Sequence, residues 1–110
     1  MNVKYLMIGS LLLMVSGCGD VGGESINVAK QVVSQQYPDT AAVTFKKANY
    51  YPKRDGEGIV CGEFSNNGGT SRFIVATVSQ NESIKATTPF IENAGTPTET
   101  INLLWNSECK

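Results

Sequence analysis

The sequence predicts an α+β fold: a small antiparallel sheet of three to four strands, with an N-terminal and a C-terminal helix on one face and one disulfide. Three observations carry this. Apolar residues recur at helical spacing from Ile26 and again from Ile101. Between them lie β-branched and aromatic runs cut by Gly, Asn and Asp clusters. Beyond an apolar leader, the chain of 110 residues leaves enough length for one small core and no second domain.

The leader comes first. Lys4 precedes the apolar run Leu6 to Val15, which closes on Ser16-Gly17-Cys18, the layout of an export signal over residues 1–17. The run is too short for a bilayer core of roughly 30 Å, which takes about 20 apolar residues. Val15-Ser16-Gly17-Cys18 resembles the lipobox of bacterial lipoproteins. That resemblance implies cleavage before Cys18, a diacylglyceryl thioether on its sulfur and an acylated amino group. Two or more chains anchor stably where one does not. Gly rather than Asp at position 19 resembles the pattern of lipoproteins sorted to the outer membrane, with the domain facing the periplasm. Residues 18–24 read as a glycine-containing tether.

The folded part is expected over residues 25–110. Ser25 is placed to cap a helix over 25–37, with Ile26, Ala29, Val33 and Tyr37 on one stripe and Pro38 as the stop. Val43 to Tyr51 reads as a strand, followed by a loop from Pro52 to Gly58 long enough to project. Ile59 to Ser65 is the second strand, with Cys61 on one face and Val60 and Phe64 on the other. Asn66-Asn67-Gly68-Gly69 supplies the positive-φ residues of a tight hairpin. Arg72 to Val78 is the third strand and Ile84 to Phe90 a weaker fourth. Thr96-Pro97-Thr98-Glu99 matches a capping box with Thr96 as cap. The helix after it puts Ile101, Leu104, Trp105 and Cys109 on one stripe.

With Cys18 committed to lipid, Cys61 and Cys109 remain, an even number in an oxidising compartment. Their pairing closes a loop that contributes roughly 4 kcal/mol in the chain-entropy model. No C-x-x-C spacing suggests a reactive pair.

Catalytic chemistry has little to work with. The chain has no histidine, so Ser-His-Asp and Cys-His arrangements are excluded, and so is the commonest zinc ligand. Lys plus Arg is 9 against Asp plus Glu 10, a balance that offers no broad attraction to nucleic acid. No phosphate loop occurs, and Asp55 and Glu57 fall well short of a calcium loop. The expectation is therefore a protein that is not an enzyme and holds no cofactor or metal. Lys46, Lys47, Lys53 and Arg54 form the basic cluster, interleaved with Tyr50 and Tyr51. As a solvated edge the lysines would blunt strand pairing; as a binding patch, Tyr50, Tyr51, Lys53 and Arg54 would be its anchors. Glu63 reads as an exposed carboxylate, and Asn81-Glu82-Ser83 matches a glycosylation sequon of little weight in a bacterial lipoprotein.

The segments Val60-Cys61-Gly62-Glu63-Phe64-Ser65-Asn66, Gly68-Gly69, Arg72-Phe73, Trp105 and Cys109 are similar to a class of short secreted and lipoprotein-like proteins of Proteobacteria and their phages. Its centre is a Cys-Gly-Glu strand, and Thr70-Ser71 depart from its usual aromatic and glycine. The class implies a fold and no mechanism. The leading functional expectation is an outer-membrane lipoprotein that binds another envelope component. The alternative is a lipid-anchored inhibitor of a lytic or toxic enzyme such as lysozyme, with the Lys53–Gly58 loop as a plug.

Overall fold

The computed structural model describes residues 21–39 and 42–110; the leader, Cys18 and the start of the tether lie outside them. The fold is α+β, with two terminal helices flanking a mixed sheet. In chain order the elements are α1 (Val21–Ser34), β1 (Val43–Pro52), β2 (Glu57–Asn66), β3 (Gly69–Gln80), β4 (Ser83–Ala86), β5 (Phe90–Glu92), β6 (Gly95–Thr96) and α2 (Thr98–Glu108). The sheet runs β1-β2-β3-β5-β6, with β4 also on β3.

The three long strands are antiparallel, and β2 and β3 pair in continuous register from Asn66↔Gly69 to Glu57↔Val78. Asn67 and Gly68 take φ of 53° and 90°, as the Asn-Gly signal requires of a two-residue hairpin turn. Asn81 and Glu82 make the next turn, at φ of 50° and 68°. One irregularity breaks β1: Phe45 pairs Phe64 and Lys47 pairs Glu63, so Lys46 is bulged out. The only parallel pairing among the described residues is local, Ile91 with Gly95 and Glu92 with Thr96. It turns the chain toward α2 without a crossover.

The helices lie on opposite faces of the sheet, which corrects the expectation of one shared face. Ala29 and Val33 of α1 pack with Val60, Phe64, Phe73, Val75 and Ile91. Ile101 of α2 packs with Cys61 and Ile74, flanked by Tyr51, Ile59, Leu104 and Trp105. Strand alternation is the reason: residues 60 and 61 point to opposite faces, so a helix bonded to Cys61 cannot share the face of Val60. Two-sided cover makes Val60-Cys61-Gly62 and Phe73-Ile74-Val75 consecutive buried runs. Under α1, Tyr37, Phe45, Phe64 and Phe73 form a tilted and edge-on aromatic cluster with centroids 5.7–6.1 Å apart. Such pairs contribute about 0.5–1.5 kcal/mol beyond the burial of each ring.

Both helix starts differ from expectation. α1 is already helical at Val21, the first described residue, so Val21–Glu24 are helical and not tether, and Ser25 is buried inside the helix with an unpartnered Oγ. Gly22 and Gly23 are poor helix formers, and contact with the sheet compensates. Gly22 lies against the Tyr50 ring, where a Cβ would come within 3.3 Å of Cδ2. α2 is capped by Pro97, with no side-chain capping bond. Thr96 is drawn instead into β6, where its carbonyl accepts from Asn93 N–H at 2.8 Å. The fourth strand is two strands. Pro89 has no N–H for the ladder, and the chain leaves β3 between Ala86 and Phe90.

Candidate functional site

The departure of residues 87–89 from the sheet opens a groove of about 780 Å³ at this edge. Its floor is Ala76 of β3, whose carbonyl accepts both the backbone N–H and the hydroxyl of Thr87, at 3.0 and 3.4 Å. Thr88, Pro89, Phe90 and Ile91 line it, as do Ala94, Gly95 and Thr96. Gln36 and Tyr37, just past the end of α1, complete the lining. Phe90 is 45 % exposed, and Leu103, at 72 %, is the other exposed large hydrophobic of the described residues.

No charged side chain lines the groove. Its one titratable group, the Tyr37 phenol, is pushed above the usual tyrosine range by burial and stays neutral. The Tyr37 ring stands against Phe64 with centroids 5.8 Å apart, which fixes its plane. Gln36 donates its side-chain amide to the Val32 carbonyl at 3.3 Å, which leaves its oxygen free to accept. Chemically this is a neutral amphipathic surface.

The residues expected to form a patch do not come together. Tyr50 and Tyr51 point to opposite faces: Tyr50 belongs to the cluster under α1 and Tyr51 to that under α2. Tyr50 covers Gly58, where any Cβ would collide with its ring. Lys53 and Arg54 are exposed in the β1–β2 turn. That turn is short and tied down. Lys53 N–H donates to the Glu57 carbonyl at 2.8 Å, Glu57 N–H to Arg54 at 3.0 Å, and Ser79 N–H to Gly56 at 2.9 Å. The projecting loop expected over Pro52–Gly58 is therefore replaced by a four-residue hairpin turn. Lys47 pairs with Glu63 at 3.7 Å, and the Lys46 ammonium donates to the Thr70 hydroxyl at 3.1 Å. Asn81, Glu82 and Ser83 sit exposed in and beside the β3–β4 turn.

Cys61 and Cys109 are joined, so the pairing expected from cysteine arithmetic is the one formed. Nearby, Arg72 serves as a fixing post for α2. It donates to both carboxylate oxygens of Glu92 (3.3 and 3.0 Å) and to Asn102 Oδ1 (2.7 Å), while its guanidinium lies 5.4 Å from the Trp105 ring centroid. The Arg72 hydrogen bonds hold the Glu92 carboxyl below its ordinary range against the opposing effect of burial. This cluster is fully paired, which suits structure better than chemistry. Among the described residues no three His, Cys, Asp or Glu side chains gather to hold a metal ion, and no helix is long and apolar enough to cross a membrane.

Neither the groove nor the Arg72 cluster was anticipated from sequence. Pro89 inside a supposed strand, next to an aromatic, was the available signal for the first. No family model matches the chain, and no curated protein or solved structure matches it.

Proposed function

We propose that the protein is an exported lipoprotein of the outer membrane whose periplasmic domain binds an envelope component and catalyses no reaction. The observation that carries this reading is the Cys61–Cys109 bridge. A disulfide in a bacterial chain belongs to an oxidising compartment. It uses two of the three cysteines, and the third, Cys18, stands at the end of the apolar leader in a lipobox-like setting. The uncharged groove beside the end of α1 supports a binding role. In the alternative reading, a lipid-anchored inhibitor of a lytic or toxic enzyme, the plug would be the Lys53–Gly58 segment, a short turn whose backbone is bonded to its own strands and to β3.

Mass spectrometry of the envelope-purified protein tests the proposal. The expected product lacks residues 1–17 and carries acyl mass on Cys18, and Cys18→Ser is released from the membrane fraction. An unmodified product found free in the periplasm, with Cys18 retained, refutes lipid anchoring.

A further inference from the structure

We infer that a link of two residues to the anchor holds the domain end-on at the membrane. The end of the sheet that carries the β1–β2 and β3–β4 turns faces the lipid headgroups, and the Asn66–Gly69 hairpin points away. The inference rests on the lipid anchor proposed above and adds to it a facing surface.

The argument is one of reach. Only Gly19 and Asp20 separate Cys18 from Val21, where α1 is already helical. Three Cα–Cα steps of about 3.8 Å each span at most about 11 Å, whatever path the chain takes. The first turn of α1 therefore stays close to the headgroups. Contacts fix where that turn lies on the sheet. Gly22 rests against the Tyr50 ring, and Tyr50 covers Gly58 at the start of β2. Glu24, Asn27 and Val28 share a cleft with Glu82, Ser83 and Ile84. At this end a 2.9 Å bond from Ser79 N–H to the Gly56 carbonyl couples the two turns. Beyond the other end of α1, Tyr37 stands against Phe64, close to the β2–β3 hairpin. The 14 residues of α1 span about 21 Å. An inverted domain would hold Val21 about 20 Å from the bilayer, beyond the reach of the link.

Lying flat on α1 is disfavoured for a different reason. A helix rests in an interface by an apolar face, and the stripe of Ala29 and Val33 is already buried against the sheet. Asn27, Gln31 and Gln35 are on its exposed side. The turn end is itself polar and of mixed charge, with Lys53 and Arg54 among Asp55, Glu57 and Glu82, all exposed. Such a surface sits among zwitterionic headgroups without inserting, so its approach depends on the anchor and not on an affinity of its own. Lys53 and Arg54 are then directed at lipid, and an envelope partner meets the domain from the hairpin end.

The test uses the mature protein, its acyl mass confirmed, in phosphatidylcholine nanodiscs doped with a lipid that carries a gadolinium chelate on its headgroup. Paramagnetic relaxation of backbone amides then reports distance from the headgroups. With the two ends about 20 Å apart, the amides of Gly56 and Glu82 should relax at least about tenfold faster than those of Asn67 and Gly68. Inserting a flexible Gly-Ser segment of about 12 residues between Asp20 and Val21 should shrink that ratio at least about threefold. A ratio near one with the native link, the reverse order, or equal enhancement along the whole of α1 overturns the inference and leaves the anchor standing. A ratio unchanged by the insertion overturns it too, because the link would then not be what orients the domain. If no acyl mass is found, anchor and orientation fail together.

Discussion

At the scale of single residues, Arg72 and Glu92 concentrate the most interactions in the least space. Arg72 reaches from β3 to β5 and α2 at once, so one side chain couples three elements. Its partners lie 20 and 30 residues away, and nothing local in Thr70-Ser71-Arg72-Phe73 announces them. The Glu92 carboxyl is held below its ordinary 4.5, so it binds a proton less readily folded than unfolded. Its contribution to stability is therefore present above about pH 4.5 and lost as pH falls through the lowered value. Glu92→Gln should lower stability near neutral pH by about 1–3 kcal/mol and flatten the acid limb of a denaturation-midpoint profile. An unchanged acid limb would place the dominant carboxylate elsewhere. Glu82 makes a converse case. It holds a left-handed φ of 68° in an exposed turn, where a side chain costs about 1–2 kcal/mol relative to glycine. Glu82→Gly should raise stability by about 0.5–1 kcal/mol in urea unfolding, once the entropy of glycine in the unfolded chain is subtracted.

At the scale of elements, period and turn chemistry were readable and the assembly of faces was not. The helical stripes of Ile26, Ala29, Val33 and of Ile101, Leu104, Trp105 are those that pack, and the Asn67-Gly68 turn forms as its residues require. Period two sets Cys61 and Val60 on opposite faces, and the two helices follow them. The second strand extends past its expected start because Gly58 looks like loop. It is instead a strand residue beneath the Tyr50 ring, as Gly62 is beneath Phe73. A Cβ on Gly58 would collide with the Tyr50 ring, and one on Gly62 with the Lys47 carbonyl and Phe73. Gly58→Ala should thus cost about 2 kcal/mol or more in wild type, and markedly less in a Tyr50→Ala background. Equal costs in the two backgrounds, measured by a double-mutant cycle in urea, would show that backbone strain and not the ring sets the penalty. Tyr50 then reads as a lid on β2, which explains why it does not join Lys53 and Arg54 at the surface.

At the scale of the whole molecule, the cysteine pairing was legible and the groove was not. Two cysteines left after Cys18 is set aside are a local pattern, readable residue by residue. The groove is not such a pattern: it exists because Gln36, Thr87 and Gly95, far apart in sequence, meet where a strand is interrupted. The covalent closure is the other global feature. Cys109→Ala should destabilise the domain by about 2–5 kcal/mol and leave α2 held by Ile101 and the Arg72 cluster alone. A Tm equal to wild type would assign α2's docking to those contacts. The bridge also governs how the chain answers a pull. Tension that reaches the domain through Cys109 enters the sheet at Cys61 and bypasses everything from 62 to 108. Within the described domain the stretch from Val21 to Cys61 is then the part that can pay out, roughly 14 nm at about 3.5 Å per residue. Residues 62–108, with β3, the groove and α2, stay inside the covalent ring and bear no load. A domain pulled between its N-terminal side and Cys109 would yield through α1 and β1 first, and keep the β3–α2 part of the sheet intact.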